Sequence, residues 1–202
     1  MFMATNKGTV KKTTLTDFAN ARKSGLFAIT LDDNEELIGV ELTDGSSEIV
    51  LATRSGLAIR FDEQDVRSMG RTAHGVRGIT LGLGDEVVAM DSVKNPEEEI
   101  LTATEQGLGK RTAVAEYRKQ TRGGKGIINI KVTEKTGAVV GMKVINPKQE
   151  ILLITAGGII IRIDGKGISQ FGRNTQGVKL MTLSGEDKVV SIAAVQQEDD
   201  EE

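Results

Sequence analysis

The sequence of 202 residues contains no cysteine and no tryptophan, and only 3% of its residues are aromatic. Without cysteine there are no disulfides, no thiolate metal sites and no cysteine nucleophiles. With so few rings, a core has to be built from Val, Ile, Leu, Ala and Met, whose β-branched members favour strands. Because 38% of the residues are hydrophobic, the composition predicts a folded chain with a strand-rich core.

Long apolar runs are also absent. No stretch approaches the roughly 20 residues that a membrane-spanning helix needs. Residues 1–5 lack the basic and apolar regions of a signal peptide. Together with the lack of cysteine, these absences predict a cytoplasmic chain with no membrane partner.

Neither sign of charge dominates the chain. The formal net charge is −3, but five of the 29 acids form the C-terminal run 198–202, which we predict to be a disordered acidic tail. Without that run, 26 bases stand against 24 acids. Net charge therefore does not decide for or against a nucleic-acid partner. That question depends on where the basic residues lie along the chain.

The sequence repeats itself four times. A Thr is followed three residues later by a Gly at spacings of 48, 51 and 51 residues, and a basic residue follows each Gly by four positions. The pairs are Thr5/Gly8, Thr53/Gly56, Thr104/Gly107 and Thr155/Gly158. This regularity identifies a true internal repeat.

Each unit begins with the pattern of a β-hairpin. In the second unit, residues 49–53 and 57–61 are predicted strands on either side of a turn in which Gly permits positive φ. A short polar turn and a Gly-rich basic loop follow, and two further strands, here residues 76–81 and 86–93, close the unit. Four strands per unit at a period of about 50 residues are typical of propeller blades.

We therefore predict an all-β, propeller-like array of four four-stranded blades, which begin near residues 1, 49, 100 and 150 and occupy residues 1–197. A β-solenoid and a pair of β-sandwiches are the alternatives. The sequence lacks the Trp-Asp motif and the other Trp-containing motifs of familiar propeller repeats, so its repeat belongs to a different class from those.

The third segment of every unit joins Gly to Arg or Lys. Gly lets a backbone approach a phosphate closely, and Arg and Lys neutralise phosphate charge. One such loop is more simply an ordinary turn with solvated bases, but four in register along one rim favour a bent polyanion as ligand. The loops occupy residues 20–25, 70–78, 120–126 and 172–179.

The basic residues of these loops and of the hairpins are the predicted phosphate contacts. They are Lys12, Arg22, Arg60, Arg71, Arg77, Arg111, Arg122, Lys125, Arg173 and Lys179. Proteins that bind single strands usually offer aromatic stacking platforms. Aromatic residues are scarce here, and Phe2, Phe27 and Phe61 lie in apolar runs typical of core strands. The expected partner is therefore double-stranded DNA.

We predict no catalytic residue, no cofactor and no metal site. Tyr117 lacks the arginine and carboxylate constellation that strand scission requires, so a structural role is expected. His74 is the only histidine, which rules out a His-based triad, and it is expected to be a solvated loop residue. Residues 124–126 lack the spacing of a phosphate-binding P-loop, and the acidic runs 32–36 and 97–99 lack the spacing of a calcium loop.

Four segments resemble a known family in detail, namely residues 3–13, 66–73, 116–126 and 172–178. They are similar to the later blades of the C-terminal domain of bacterial DNA gyrase A, and the similarity extends over the chain up to the acidic tail. The resemblance implies a β-pinwheel, a ring usually of six blades that exchange strands and wrap duplex DNA around a basic outer rim. It also implies a parent enzyme, a type II topoisomerase that supercoils DNA at the expense of ATP.

In that family the rest of gyrase A carries the DNA-cleaving tyrosine and gyrase B carries the ATPase, so both are implied partners. The family's first blade carries a box reading Gln-Arg-Arg-Gly-Gly-Lys-Gly. Residues 120–126 differ from it at one position and lie in the third unit, so we interpret them as a repeat-related copy. The chain then corresponds to the last four blades, with the box itself upstream.

Two alternatives stay open. The paralogous C-terminal domain of topoisomerase IV is similar but generally has fewer blades and a degenerate box; four well-kept units and an acidic tail favour gyrase. The other alternative is a propeller that serves as a protein-interaction platform, in which the basic loops meet an acidic partner.

Overall fold

The computed structural model describes residues 1–21 and 23–196, and within them the chain is almost entirely strands and turns. The strands are β1 (Phe2–Thr5), β2 (Thr9–Lys12), β3 (Leu37–Glu41), β4 (Glu48–Thr53), β5 (Leu57–Asp62), β6 (Val76–Arg77), β7 (Val87–Val93), β8 (Glu99–Thr104), β9 (Leu108–Ala113), β10 (Ile127–Ile128), β11 (Val139–Ile145), β12 (Glu150–Thr155), β13 (Ile160–Asp164), β14 (Val178–Lys179) and β15 (Val189–Val195). The polar turns are short 3-10 helices, at Leu15–Phe18, Glu63–Asp65, Val114–Glu116 and Gly165–Gly167. No helix in this described part is long and apolar enough to cross a membrane. The predicted acidic tail 198–202 lies outside the described residues.

The strands form four antiparallel sheets, one for each sequence repeat. Their orders are β3-β1-β2-β6, β7-β4-β5-β10, β11-β8-β9-β14 and β15-β12-β13. This arrangement confirms the prediction of an all-β, propeller-like array of four blades. Within the described residues, the first three blades have four strands and the fourth has three.

The outermost strand of each four-stranded blade comes from the next unit. Ile127 and Ile128 of the third unit pair with Ala58 and Leu57 of the second, and β6 and β14 are exchanged in the same way. The sequence pattern assigns residues 76–81 to their own unit as one strand. Instead, two of these residues complete the preceding blade, as the family resemblance implies. No later unit among the described residues supplies an outer strand to the fourth blade.

The Thr and Gly of the repeat shape the hairpin turn. Gly56 adopts φ +91°, which closes the turn between β4 and β5 without a side-chain clash. The hydroxyl of Thr53 accepts a hydrogen bond of 3.2 Å from the amide of Leu57. The equivalent threonines Thr5 and Thr155 accept the same bond. In the third unit, the hydroxyl of Thr104 instead donates to the carbonyl of Leu108 at 3.0 Å. In every unit the Thr side chain therefore bonds to the backbone across a turn that a Gly of positive φ closes.

The hydrophobic core lies between consecutive blades rather than inside each one. Phe2 of the first blade and Phe61 of the second are fully buried, with their ring centroids 6.3 Å apart. The expectation of a core position is correct for these two residues and wrong for Phe27, whose ring is 82% exposed. Phe27 lies in the segment of the first unit that corresponds to an exchanged outer strand, and it covers no blade among the described residues.

The blades converge at their inner strands, which contact one another in the order β3, β7, β11 and β15. A polar cavity of about 750 Å³ opens where these strands end, and Glu41, Asp91, Val144 and Gln196 line it, one residue from each unit. The exchanged strands lie on the opposite, outer side of the array. The loops that precede them therefore lie along the outer rim.

Candidate nucleic-acid interface

Three of the ten predicted phosphate contacts lie between blades. Arg60 forms an ion pair with Glu48, and its Nη1 donates to the carbonyl oxygens of Val114 and Tyr117 at 2.9 and 3.0 Å. Its side chain is only 13% exposed. The third unit thus supplies acceptors to an arginine of the second, so the guanidinium connects two blades.

Arg111 and Lys12 occupy the same position in their own hairpins. Arg111 pairs with Glu99 at 2.5 Å and donates to the carbonyl of Ile168 at 2.7 Å. Lys12 donates to the carbonyl of Glu63 at 2.8 Å, and its side chain is 18% exposed. The structure therefore places the three hairpin residues Lys12, Arg60 and Arg111 in inter-blade joints, apart from the basic loops.

A second set of three arginines recurs at a spacing of 51 residues in the basic loops. Nη1 of Arg71, Arg122 and Arg173 donates to the carbonyls of Phe27, Arg77 and Ile128 respectively, at 3.1, 3.0 and 2.8 Å. Each carbonyl belongs to the outer segment of the preceding unit. These bonds set the guanidinium groups at the outer surface, where all three residues keep part of their area exposed.

Arg77, Lys125 and Lys179 are exposed; Arg77 and Lys179 lie in the outer strands β6 and β14, and Lys125 lies in the loop that precedes β10. None of their side chains has a hydrogen bond or an ion pair with any other residue that the structure describes. We call the six outer residues the basic rim, which consists of Arg71, Arg77, Arg122, Lys125, Arg173 and Lys179. The tenth predicted contact, Arg22, lies outside the described residues.

Hydrogen bonds between successive loops and outer strands join the basic rim from unit to unit. Thr80 donates its amide to the carbonyl of Gly124 at 2.8 Å, and Gly123 donates to the carbonyl of Gly78 at 2.6 Å. The next joint repeats the first of these bonds, from the amide of Lys131 to the carbonyl of Thr175 at 2.9 Å. The loops of the second, third and fourth units are therefore arranged in one succession.

The glycines of these loops have two different environments. Gly126 adopts φ +78°, and a Cβ there would lie 2.6 Å from the carbonyl oxygen of Ala58, so the exchanged strand approaches β5 too closely for a side chain. Gly124 has only ordinary contacts around the position of a Cβ, the nearest at 3.5 Å from Ile59. Close packing between blades thus requires Gly126, whereas Gly124 has room for a Cβ at ordinary contact distances.

Sequence reasoning misses two completely buried lysines, Lys11 and Lys110. Both lie one residue before a predicted contact, on the opposite face of the strand. Burial is the main cause that lowers the pKa of both amines, in Lys110 to about 8. Alignment of the repeats is the signal that could have revealed them, because the second and fourth units have Ile59 and Ile161 at the same position.

Sequence reasoning also misses Arg67 and Arg118. Both are exposed, both follow a 3-10 helix at the same distance, and neither side chain has a partner among the residues that the structure describes. Their spacing of 51 residues places them at equivalent positions of two units. They add charge beside the basic loops.

The two residues considered as catalytic candidates, Tyr117 and His74, have contacts typical of structural residues. Tyr117 is 1% exposed, its hydroxyl donates to Oδ1 of Asn129 at 2.6 Å, and burial raises its pKa strongly. The side chain of His74 is 60% exposed, with Nδ1 3.4 Å from a carboxylate oxygen of Asp32. Over residues 1–21 and 23–196, no group of three or more His, Asp or Glu side chains is arranged to hold a metal ion.

Fold and site together define the class of this protein: a propeller-like array of strand-exchanged blades that presents repeated basic loops on its outer rim. The family model described as the DNA gyrase C-terminal domain, β-propeller, matches residues 1–44, 47–94, 98–146 and 149–196. The chain belongs to this family.

Known relatives agree with that assignment. The chain is 47% identical over its whole length to DNA gyrase A of Klebsiella oxytoca, of which it covers 23%. A crystal structure of the C-terminal domain of DNA topoisomerase IV superposes with a TM-score of 0.92 and 30% identity, over 96% of this chain and 61% of that one. A structure of the DNA gyrase A C-terminal domain gives 0.86 and 29%, over 96% and 64%. The chain thus spans less than a quarter of the curated relative.

Proposed function

We propose that this chain binds duplex DNA along the basic rim and bends it, as a non-catalytic accessory domain of a type II topoisomerase. The observation that carries the proposal is the succession of three basic loops, each tied to the outer segment of the preceding unit. Cations at regular intervals along a curved edge suit a bent polyanion, because successive phosphates of the bent duplex can each reach one of the cations.

The proposal rests on the basic rim and not on the inter-blade residues. Lys12, Arg60 and Arg111 already have acceptors and little exposed surface, so a phosphate would have to displace protein carbonyls or carboxylates to reach them. The six residues of the basic rim keep donors available to solvent. Six contacts give an expected slope of about −5 for the logarithm of affinity against the logarithm of salt concentration.

Binding of labelled duplexes of increasing length, titrated with salt, tests this function. We expect affinity to rise with duplex length and to fall steeply with salt. A single strand of matched length is the comparison for base stacking, since Phe27 offers one exposed ring near Arg71. Tighter binding to the single strand would contradict the proposal.

A pair of triple variants separates the basic rim from general charge. Replacing Arg77, Lys125 and Lys179 by Ala is expected to reduce the salt slope by about 3, because each phosphate contact contributes about 0.9. The matched control replaces Lys94, Lys148 and Lys166, which are exposed around the central cavity, and removes the same charge. Equal losses of affinity in both variants would show that net charge, and not the basic rim, controls binding.

In the parent protein, the proposed role of this domain is to wrap a DNA segment so that an ATP-driven cycle introduces negative supercoils, together with the rest of gyrase A and with gyrase B. The test uses the parent enzyme with the three rim substitutions. We expect negative supercoiling to be lost while relaxation and DNA cleavage persist, because the substitutions lie outside the parts that perform those steps. Unchanged supercoiling would contradict this role.

An interaction platform for an acidic protein is the competing function. It predicts weak affinity for DNA without dependence on duplex length. The amide of Gly123 and the carbonyls of Gly124 and Thr175 are engaged between units, whereas the side chains of Arg77, Lys125 and Lys179 have no partner among the described residues and are available to either kind of partner. Because only the DNA-binding function predicts that affinity rises with duplex length, the titration with duplexes of increasing length distinguishes the two functions.

A further inference from the structure

Lys11 and Lys110 are an unusual pair, because each has no exposed surface and neither forms an ion pair with a described residue. A buried ammonium is unfavourable unless hydrogen-bond acceptors replace its water. The chain has a lysine at this strand position twice, although Ile fills it in the other two units. Packing alone therefore does not require a lysine here.

The acceptors are backbone carbonyls, most of them in the basic loops. Nζ of Lys110 donates to the carbonyls of Gly172 and Arg173 at 2.5 and 2.6 Å. Nζ of Lys11 donates to the carbonyl of Ala28 at 2.6 Å and to that of Arg71. Each lysine thus extends from the second strand of its blade to the loop of the following unit.

Arg71 and Arg173 are therefore held at two points. The carbonyl of each residue binds a buried lysine, and the guanidinium of each binds the outer segment of the preceding unit. In the third unit, the guanidinium of Arg122 donates to the carbonyls of Asp65 and Arg77, but the lysine position of the preceding blade is Ile59, which offers no donor to the carbonyl of Arg122. The loops of Arg71 and Arg173 are thus bound by a buried lysine, whereas the loop of Arg122 has an isoleucine at the equivalent position.

We propose that Lys11 and Lys110 are positioning residues of the basic rim, which fix Arg71 and Arg173 through their carbonyls in the orientation that binds a phosphate. This inference rests on the proposed function. A loop held at two points loses less conformational freedom when a ligand binds, which favours affinity. Neither lysine reaches the surface, so neither contacts DNA directly.

The variant Lys110→Met tests the positioning role, because Met keeps the apolar length of the side chain and removes the donor. We expect duplex affinity at low salt to fall about fivefold and the salt slope to decrease by about 1, as for the loss of one phosphate contact. Ile59→Met is the matched control at the equivalent position, with no donor removed and affinity expected to stay the same. Circular dichroism and the unfolding temperature establish that each variant is folded.

A double-mutant cycle separates positioning from general structural support. If Lys110 acts through Arg173, adding Lys110→Met to Arg173→Ala causes no further loss of affinity. Added to Lys125→Ala, in a different loop, the same substitution reduces affinity by the full factor. A structural role alone would give equal losses in both backgrounds.

The outcomes for the two proposals are distinguishable. If the unsubstituted chain binds duplex DNA and Lys110→Met binds equally well, the positioning role is overturned and the proposed function stands. Additive losses with Arg173→Ala also overturn it. If the unsubstituted chain does not bind duplex DNA at all, both proposals fail.

Discussion

Arg60 has little contact with water because Glu48 and two carbonyl groups of the next blade surround its guanidinium. Substitution by Met leaves these carbonyls without a donor, although Glu48 keeps Lys119 at 2.7 Å. We expect Arg60→Met to lower the free energy of unfolding by about 2 kcal/mol, as for other broken buried pairs with a remaining partner. Chemical denaturation measures this loss.

Duplex affinity of the folded Arg60→Met variant should equal that of the unsubstituted chain. The comparison is Lys125→Ala, at an exposed side chain with no partner among the described residues, where affinity should fall and stability should change by less than about 0.5 kcal/mol. The assignment of Arg60 to an inter-blade joint would be wrong if its loss weakened binding as much as that of Lys125.

Lys110 gives the molecule a dependence of stability on pH. Its pKa is about 8 in the folded chain against an ordinary value of 10.5, so between these values the unfolded chain holds more protons. Stability from this group therefore rises as pH increases above 8. Between pH 8 and 10, the difference in unfolding free energy between the unsubstituted chain and Lys110→Met should shift by roughly 2 kcal/mol in favour of the unsubstituted chain. Denaturation at several pH values in that window measures it, and a constant difference would contradict it.

At the scale of the β-strand, two glycines with similar φ provide a test of strand exchange. Gly126 and Gly25 have φ +78° and +79°, but only Gly126 approaches another strand, whereas a Cβ on Gly25 would meet nothing within 4 Å. Gly126→Ala should destabilise the chain by about 3 kcal/mol, and Gly25→Ala by about 1 kcal/mol from backbone strain alone. Thermal and chemical unfolding of the two variants compare the costs, and similar values would mean that β10 does not require this close approach.

The repeat of Thr and Gly is sufficient to predict the four units and their hairpins, because a turn with positive φ leaves a clear mark in the sequence. The exchanged strands could not be predicted from their pattern, since β6, β10 and β14 have only two residues each and show no period. The sequence predicts Arg60 and Arg111 as phosphate contacts because a basic residue recurs four positions after the hairpin Gly of every unit. A Glu lies twelve residues before each of them, Glu48 before Arg60 and Glu99 before Arg111, and this spacing could have predicted the ion pairs.

At the scale of the whole molecule, the fourth blade differs from the others because β13 has no outer strand beside it among the described residues. Amide hydrogens on an uncovered edge exchange faster than those in a complete sheet. We expect a peptide covering Ile160–Asp164 to exchange about tenfold faster than one covering Leu108–Ala113. Hydrogen exchange followed by mass spectrometry measures both, and equal rates at high and low protein concentration would contradict the prediction.

Strand exchange also determines where a bent ligand would exert its force. The loop that carries Arg122 and Lys125 continues directly into β10, which is hydrogen-bonded to β5 of the blade before it. Tension applied at that loop therefore acts along β10 and is shared by two neighbouring blades, so that it loads their backbone pairing in shear. Elastic energy stored in a curved duplex would therefore be distributed over neighbouring blades, and no single repeat would have to resist it alone.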